Sequence, residues 1–480
     1  MIFSLQDVIA LLPELIIVGA ACLLLVIDPL FKKCRGLVGV ISIVVIIAAA
    51  IATCCLLHGD MAGGTFFAGM YKIDAYSAFF KMIFYGATVL VMLMSFQYVK
   101  TKDINMGEYY ILMLFSLAGM MILASAVDLL TIYVGLELMS IPVYVLAGFR
   151  QSSRKSNEGA MKYIILGAFS SGILLYGISF IYGLTGTTEL VGIAAALKDP
   201  VISMPALSIA LVMLIAGFAF KVAGVPFHMW APDAYEGAPT PITAFMSVGV
   251  KAASFAVLLR VFLVGLAPVY DQWVIILIVI SVLSMAYGNF VAISQKSLKR
   301  MLAYSSIGHA GYAMLGLIAG TPEGVSSVLF YMVVYAFMNI GAFAVIILLS
   351  INGKSDRIEN YRGLGKTNKL VALLMMIFLF SLAGIPPMAG FMGKFFVFKA
   401  LLGQGMVPLA IFAVLMSAVA AYFYLRVIMV MYMKEPEGEF QMYKPTCLCF
   451  VILLTVVATI WHGVYPTMLI DLARLASGII

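Results

Sequence analysis

Charge is what this sequence has least of. Only 11% of its 480 residues are Asp, Glu, Lys or Arg, while 64% are hydrophobic; a soluble protein carries about 25% charged residues. So few polar groups cannot cover a globule in water. That excludes a cytosolic enzyme, a nucleic-acid binder and a disordered scaffold. The six cysteines (Cys22, Cys34, Cys54, Cys55, Cys447, Cys449) show no C-x-x-C spacing, so they read as small apolar fillers, with neither a metal nor a disulfide expected. No Lys or Arg precedes the first apolar run, and no cleavable signal peptide is expected. Gly363-Leu-Gly365-Lys366-Thr367 resembles the end of a phosphate-binding loop, but Asn360 stands at the position of its first glycine and no strand precedes it. There is no dinucleotide fingerprint, no histidine pair placed for haem and no cluster-binding cysteine set. No redox centre is expected in this chain, so redox energy has to arrive from a partner.

What the sequence does have is long apolar runs, which make it an integral membrane protein. A spanning helix takes about 20 residues, and polar breaks divide the chain into helices at 8–29, 36–58, 74–98, 108–126, 128–149, 159–185, 202–223, 240–264, 272–293, 297–319, 323–350, 368–384, 407–433 and 446–468. Short further segments follow the seventh and twelfth, at 228–237 and 387–402. The fold class is therefore all-α and polytopic, with about fourteen crossings and both termini on one face. The net charge of +7 is unevenly placed. Nineteen of the twenty-nine Lys and Arg fall in loops on the face away from the N-terminus, and only Lys72, Lys198 and Arg474 on the N-terminal face. Basic loops stay cytoplasmic, so the termini are expected outside. The remaining seven cations lie within helices. Lys81, Arg260, Lys399 and Arg426 are near enough to helix ends for snorkelling. Lys221, Lys251 and Lys394 are not so easily accommodated. At 1.5 Å per residue, Lys251 sits about sixteen Å into its helix.

Two helices break with the same signal. Lys221-Val-Ala-Gly-Val-Pro226 and Leu382-Ala-Gly-Ile-Pro386-Pro387 share Ala-Gly-(Val/Ile)-Pro at an offset of 160 residues, and Glu158-Gly159 is echoed by Glu323-Gly324 at an offset of 165. The stretches 108–264 and 272–433 thus read as two five-helix units. An odd number of crossings forces the second copy to start on the opposite face, so the repeats are inverted. Inverted repeats with Gly/Pro-interrupted helices at matching positions mark a transporter's midplane site. Proline removes a backbone donor, and lipid cannot satisfy the freed carbonyls, so each break must face protein or water. The expected divisions are 1–105 (three helices), 106–270 (first repeat), 271–435 (second repeat) and 436–480 (last helix).

The ionisable groups at bilayer depth are Glu137, Lys221, Lys251, His309 and Lys394, with His228 just beyond the first break as a further candidate. A midplane charge costs between about 3 and more than 10 kcal/mol, so a chain with several must pair or hydrate them. Lysine and histidine exchange protons when desolvated. A carboxylate beside Lys221 holds its proton, and withdrawing that contact releases it. Other readings stay open on these residues alone: a static Glu137–Lys221 bridge, a merely structural His309, and a sodium or substrate path at Lys394.

The breaks with Lys221 and Lys394, the Val134-Gly-Leu-Glu137-Leu stretch, Lys251 and Ala223-Gly-Val-Pro-Phe-His228-Met-Trp-Ala-Pro-Asp233-Ala resemble the antiporter-like subunits of respiratory complex I from about residue 75 to 433. Within that family the chain is most similar to the N type. It stops soon after its last helix, without the long lateral helix of the L type. Lys394 stands where the M type has a glutamate, and Glu137-Leu-Met-Ser140-Ile-Pro-Val-Tyr-Val-Leu-Ala-Gly148 is N-like. The resemblance implies a non-redox subunit of an NADH–quinone oxidoreductase, a translocase in a bacterial inner membrane, with protons as its cargo. Its gating pair would be Glu137 and Lys221, its bridge between half-channels Lys251, its relay His309, and its outer exchange group Lys394. NADH, FMN, iron–sulfur clusters and quinone would belong to partner subunits, the M and K types among the neighbours. Cation/proton antiporter subunits of the Mrp type are the alternative.

Overall fold

The computed structural model describes residues 4–29, 35–104, 106–199, 202–436 and 442–478. The segments expected from the sequence are helical, though not each as one unbroken helix. They are α1 (Leu12–Ile27), α2 (Arg35–His58), α3 (Ala75–Thr101), α4 (Glu108–Ser125), α5 (Leu129–Ala147), α6 (Arg154–Thr185) and α7 (Met204–Lys221). Then come α8 (Thr240–Gly265), α9 (Tyr270–Ile293), α10 (Leu298–Ile318), α11 (Pro322–Ile351), α12 (Lys369–Ala383), α13 (Val407–Met433) and α14 (Thr446–Val464). Eleven helices among the described residues are long and apolar enough to cross a membrane. Of the others, α1 and α12 are apolar but shorter, and α10 carries Lys299 and Arg300 in its first turn.

Local chemistry sets the ends. Asp74 and Ser77 cap each other at the start of α3, the Asp128 carboxylate accepts from Leu130 and Thr131 at the start of α5, and Thr321 caps α11. Each satisfies N–H groups that a helix leaves open. Ser153 does the same for α6, so that helix begins five residues before the expected 159 and takes in Glu158. The last expected helix, 446–468, instead ends at Val464, and Thr467–Ala476 follows as a separate helix after Pro466. Proline cannot supply the donor that continuity needs. The first expected helix, 8–29, is likewise two pieces, Leu5–Ala10 and α1.

Three helices form the interior. Of the apolar span of α8 94% is buried and of that of α11 89%, against 22% for α2 and 33% for α13, and every residue of α10 but Arg300 is buried. Small residues let neighbours close in, as lipid-embedded helices require. A Cβ on Gly119 of α4 would meet the Met139 backbone of α5 at 2.3 Å, and one on Gly288 of α9 would meet Gly308 N of α10 at 2.7 Å.

The fold is all-α, with one short pairing between α2 and α3, Thr65–Phe66 (β1) antiparallel with Tyr71–Lys72 (β2). Two expectations about the cations need correction. Lys81 and Arg260 do not snorkel. Lys81, 4% exposed, pairs with Glu14 at 2.7 Å, and Arg260 pairs with Asp74 at 2.7 Å and lies over the Tyr76 ring. In both cases a carboxylate, not reach to the interface, offsets the loss of hydration. Lys162 is not a loop cation but part of α6, bonded to Glu158 and Asp233 at 2.7 Å each. Cys34 lies outside the described residues; the other five cysteines are free thiols.

Candidate functional site: a chain of buried lysines, tyrosines and a histidine

The first break begins where α7 ends at Lys221. Ala223 takes a left-handed conformation (φ 58°), the Val225–Pro226 bond is cis, and the chain turns helical again at Trp230–Gly237. The freed backbone groups find partners, as bilayer depth demands. Trp230 Nε1 donates to Phe220 O at 3.0 Å, and Val225 N donates to Ser284 Oγ at 2.9 Å. Lys221, 4% exposed, is thereby left pointing at α5. Its Nζ donates to Ser140 Oγ at 2.9 Å and to Tyr144 OH at 3.4 Å. Glu137 Oε1 lies 3.9 Å away and accepts from Ser171 Oγ of α6 at 2.5 Å. At this separation the attraction amounts to about 4 kcal/mol for an effective dielectric of 20. Lysine and glutamate thus touch loosely, with hydroxyls already holding each one. Glu137 is less buried than expected: its side chain is 26% exposed, because α5 sits at the edge of the molecule with Val134 and Ile141 uncovered.

The second break mirrors the first. α12 ends at Ala383, Gly384 is left-handed (φ 86°), Pro386–Pro387 is cis, and helix resumes at Ala389–Gly403. Here the lysine comes after the break and reaches back to it. Lys394 Nζ donates to Ala383 O at 2.9 Å and to Ser417 Oγ at 2.7 Å. It lies 4.8 Å from the Tyr312 ring centre, within cation–π range.

Between the breaks, α8, α10 and α11 build the connection. Lys251 Nζ donates to both Ser306 O and Ser306 Oγ at 2.5 Å. Tyr335 OH donates to the same Oγ at 2.9 Å, and Asn339 Nδ2 donates to Tyr335 OH at 3.1 Å and to Ser247 Oγ at 2.8 Å. His309 Nδ1 shares a 2.6 Å bond with Tyr331 OH, and its Nε2 a 3.3 Å bond with Tyr424 OH. Both imidazole nitrogens therefore face hydroxyls that can give or take a proton. The ring of His309 lies 5.1 Å from that of Tyr335, under Lys251, and 6.2 Å from that of Tyr312, under Lys394. Lys251, Tyr335, His309, Tyr312 and Lys394 thus form one contiguous row.

Of the sequence candidates, then, Glu137 and Lys221 meet, and Lys251, His309 and Lys394 are joined through tyrosines. Among the described residues no hydrogen bond or ion pair links the first group to the second. His228 stands apart: its ring packs 4.6 Å from Tyr287, and its Nδ1 is buried without a partner. It contacts neither Lys221 nor Glu137. The serines and tyrosines were missed, although two signals were present. Ser140 and Ser306 lie inside the motifs already singled out, and Tyr331, Tyr335 and Asn339 recur every four residues along an otherwise apolar helix, which places them on one face. The arrangement contains acids, bases and hydroxyls spaced for proton transfer.

A family profile described as NADH:quinone oxidoreductase/Mrp antiporter, transmembrane, matches residues 126–421, which include every one of these candidates. NADH-quinone oxidoreductase subunit N 2 of Rhizobium meliloti is 49% identical over 98% of both chains. A chain of respiratory complex I from Thermus thermophilus superposes with a TM-score of 0.80 at 31% identity, covering 96% of this chain and 99% of that one. A chain of the Mrp complex from Dietzia sp. superposes with a TM-score of 0.84 at 22% identity, covering 98% and 97%; that likeness is one of fold.

Proposed function

The chain belongs to the NADH:quinone oxidoreductase/Mrp antiporter family of transmembrane proteins, and from that premise we propose that it carries protons across a bacterial inner membrane while the electrons run elsewhere. It is a multi-pass membrane protein of a respiratory complex, of the NADH–quinone oxidoreductase kind. Within it, our reading is an N-type subunit that acts as a translocase without a redox centre. NADH, FMN, the iron–sulfur clusters and quinone fall to partner chains, and M- and K-type subunits are its neighbours. The termini face outward and the basic loops inward.

In this reading residues 106–270 and 271–435 are inverted repeats, flanked by 1–105 and 436–480, and each repeat contributes one break and its lysine. The observation that carries it is the loose Glu137–Lys221 pair at the first break set against Lys394 on the open carbonyls of the second. Moving the Glu137 carboxylate away strips Lys221 of its counter-charge and expels a proton. Lys251 receives it, His309 with its two tyrosines passes it on, and Lys394 releases it outward. A neighbouring subunit seated on the uncovered face of α5 would act on Glu137 directly.

The test is Lys221→Ala in the assembled complex. NADH-driven proton pumping and quinone reductase turnover should both fall several-fold at normal assembly. Undiminished pumping removes Lys221 from the path. Sodium-dependent transport without an electron donor would instead favour the Mrp-type reading.

A further inference from the structure

On the face that carries most of the basic loops, the ends of α9, α10 and α13 enclose a cavity of about 1100 Å³. Its floor is fixed by backbone. Leu298 N donates to Asp356 O at 2.7 Å and Ile358 N to Lys296 O at 2.9 Å, which lays the stretch 296–298 antiparallel to 356–358. Six cations and three carboxylates line the space. Two of the carboxylates are ion-paired: Glu236 accepts from Lys155 and Arg300 at 2.8 and 3.0 Å, and Glu359 accepts from Lys434 at 3.0 Å. Asp356 accepts from Ser297 Oγ at 2.6 Å and keeps its charge.

Three cations are left against that one carboxylate, so the cavity keeps an excess of positive charge. Among the described residues no carboxylate lies within ion-pair distance of Lys296, Arg357 or Arg426. The Arg426 guanidinium donates only to the backbone carbonyls of Ile293 and Gln295, which hold it in place without cancelling its charge. A cavity in which the fold already gathers an excess of positive charge is suited to an anion.

One wall is apolar. Met429 and Met433 continue an exposed stripe along α13 through Tyr422 and Leu425, at the spacing of one helical face. A free phosphate has no use for that stripe; a molecule with a charged head and hydrocarbon tails fits both halves. We propose that the cavity is a binding site for an anionic phospholipid, its phosphate among Lys296, Arg357 and Arg426 and its acyl chains along α13. A basic recess between transmembrane helix ends is suited to such headgroups. The site is separate from the proton path and does not rest on that reading.

The experiment uses the whole complex, reconstituted in phosphatidylcholine discs doped with increasing phosphatidylglycerol, with retained lipid counted by native mass spectrometry. The complex should retain phosphatidylglycerol selectively. Lys296→Gln with Arg357→Gln should raise the fraction needed for half-retention by about tenfold or more, at about 1 kcal/mol per cation. The charge-keeping pair Lys296→Arg with Arg357→Lys should behave as the parent does. Equal retention by the Gln variant, equal retention of phosphatidylcholine, displacement by millimolar inorganic phosphate, or cross-linking of a neighbouring subunit into the cavity would each overturn the proposal.

Discussion

At the scale of single residues, the site is a set of desolvated charges, each supported by a hydroxyl. Tyr335 is the least replaceable of these. It donates to Ser306 and accepts from Asn339 while its ring lies under Lys251 and beside His309. Tyr335→Phe keeps the packing but leaves buried donors and acceptors unmatched, at a cost of about 1–3 kcal/mol. We expect proton pumping per NADH to fall while the complex still assembles, measured by dye quenching in proteoliposomes; unchanged pumping would show that the row is only scaffolding. Glu14 and Lys81 give the complementary case, an ion pair outside the row. Tyr71 OH donates to Glu14 Oε1 at 2.8 Å, beside the Lys81 ammonium. Removing one partner strands the other, so Lys81→Met should destabilise by about 3–5 kcal/mol, whereas Glu14→Gln with Lys81→Met should recover much of it. Thermal unfolding of the solubilised complex reads both. The carboxylate half of this pair was not legible in the sequence: Glu14 sits early in an apolar run, and only the fold brings it to Lys81, which is 67 residues distant.

At the scale of elements, the two breaks were the most legible feature, since glycine and proline together interrupt two apolar runs at matching positions. How the second break closes was not legible. Gly390 N donates to Ser381 Oγ at 3.0 Å, and a Cβ on Gly390 would stand 1.8 Å from Ser381 O, so the half-helix docks against the end of α12 with no room for a methyl group. Gly390→Ala should displace it and Lys394 with it, lowering stability by about 1–3 kcal/mol and pumping more than proportionally. Gly403→Ala, on the same half-helix with nothing within 4 Å, should change neither. The helix α8 shows what periodicity misses. The run 240–264 reads as one helix and is one, but it holds π-helical turns at Met246–Val250 and Val261–Gly265. Such turns recur at functional sites, and the first directly precedes Lys251. No residue pattern announces them, because they depend on the helices packed around α8.

At the scale of the whole molecule, the surface is apolar, and the enclosed helices α8, α10 and α11 carry Lys251, Ser306, His309, Tyr312, Tyr331, Tyr335 and Asn339. Hydropathy alone was enough to show an all-α, multi-spanning chain, because lipid imposes one requirement on every span. It could not rank them by burial, since a helix apolar on every side suits the centre as well as the rim. Nor could it place Glu137 on an uncovered face, which needs three-dimensional packing. In the proposed mechanism a neighbouring subunit acts there on the Glu137–Lys221 pair, and it is the pair on which the account depends. The direct measurement is the number of protons moved per NADH oxidised by the assembled complex carrying Glu137→Gln and Lys221→Met together, in sealed proteoliposomes. The account predicts a reduced ratio with assembly intact, because neither charge remains to expel a proton; a ratio equal to that of the unaltered complex would contradict it.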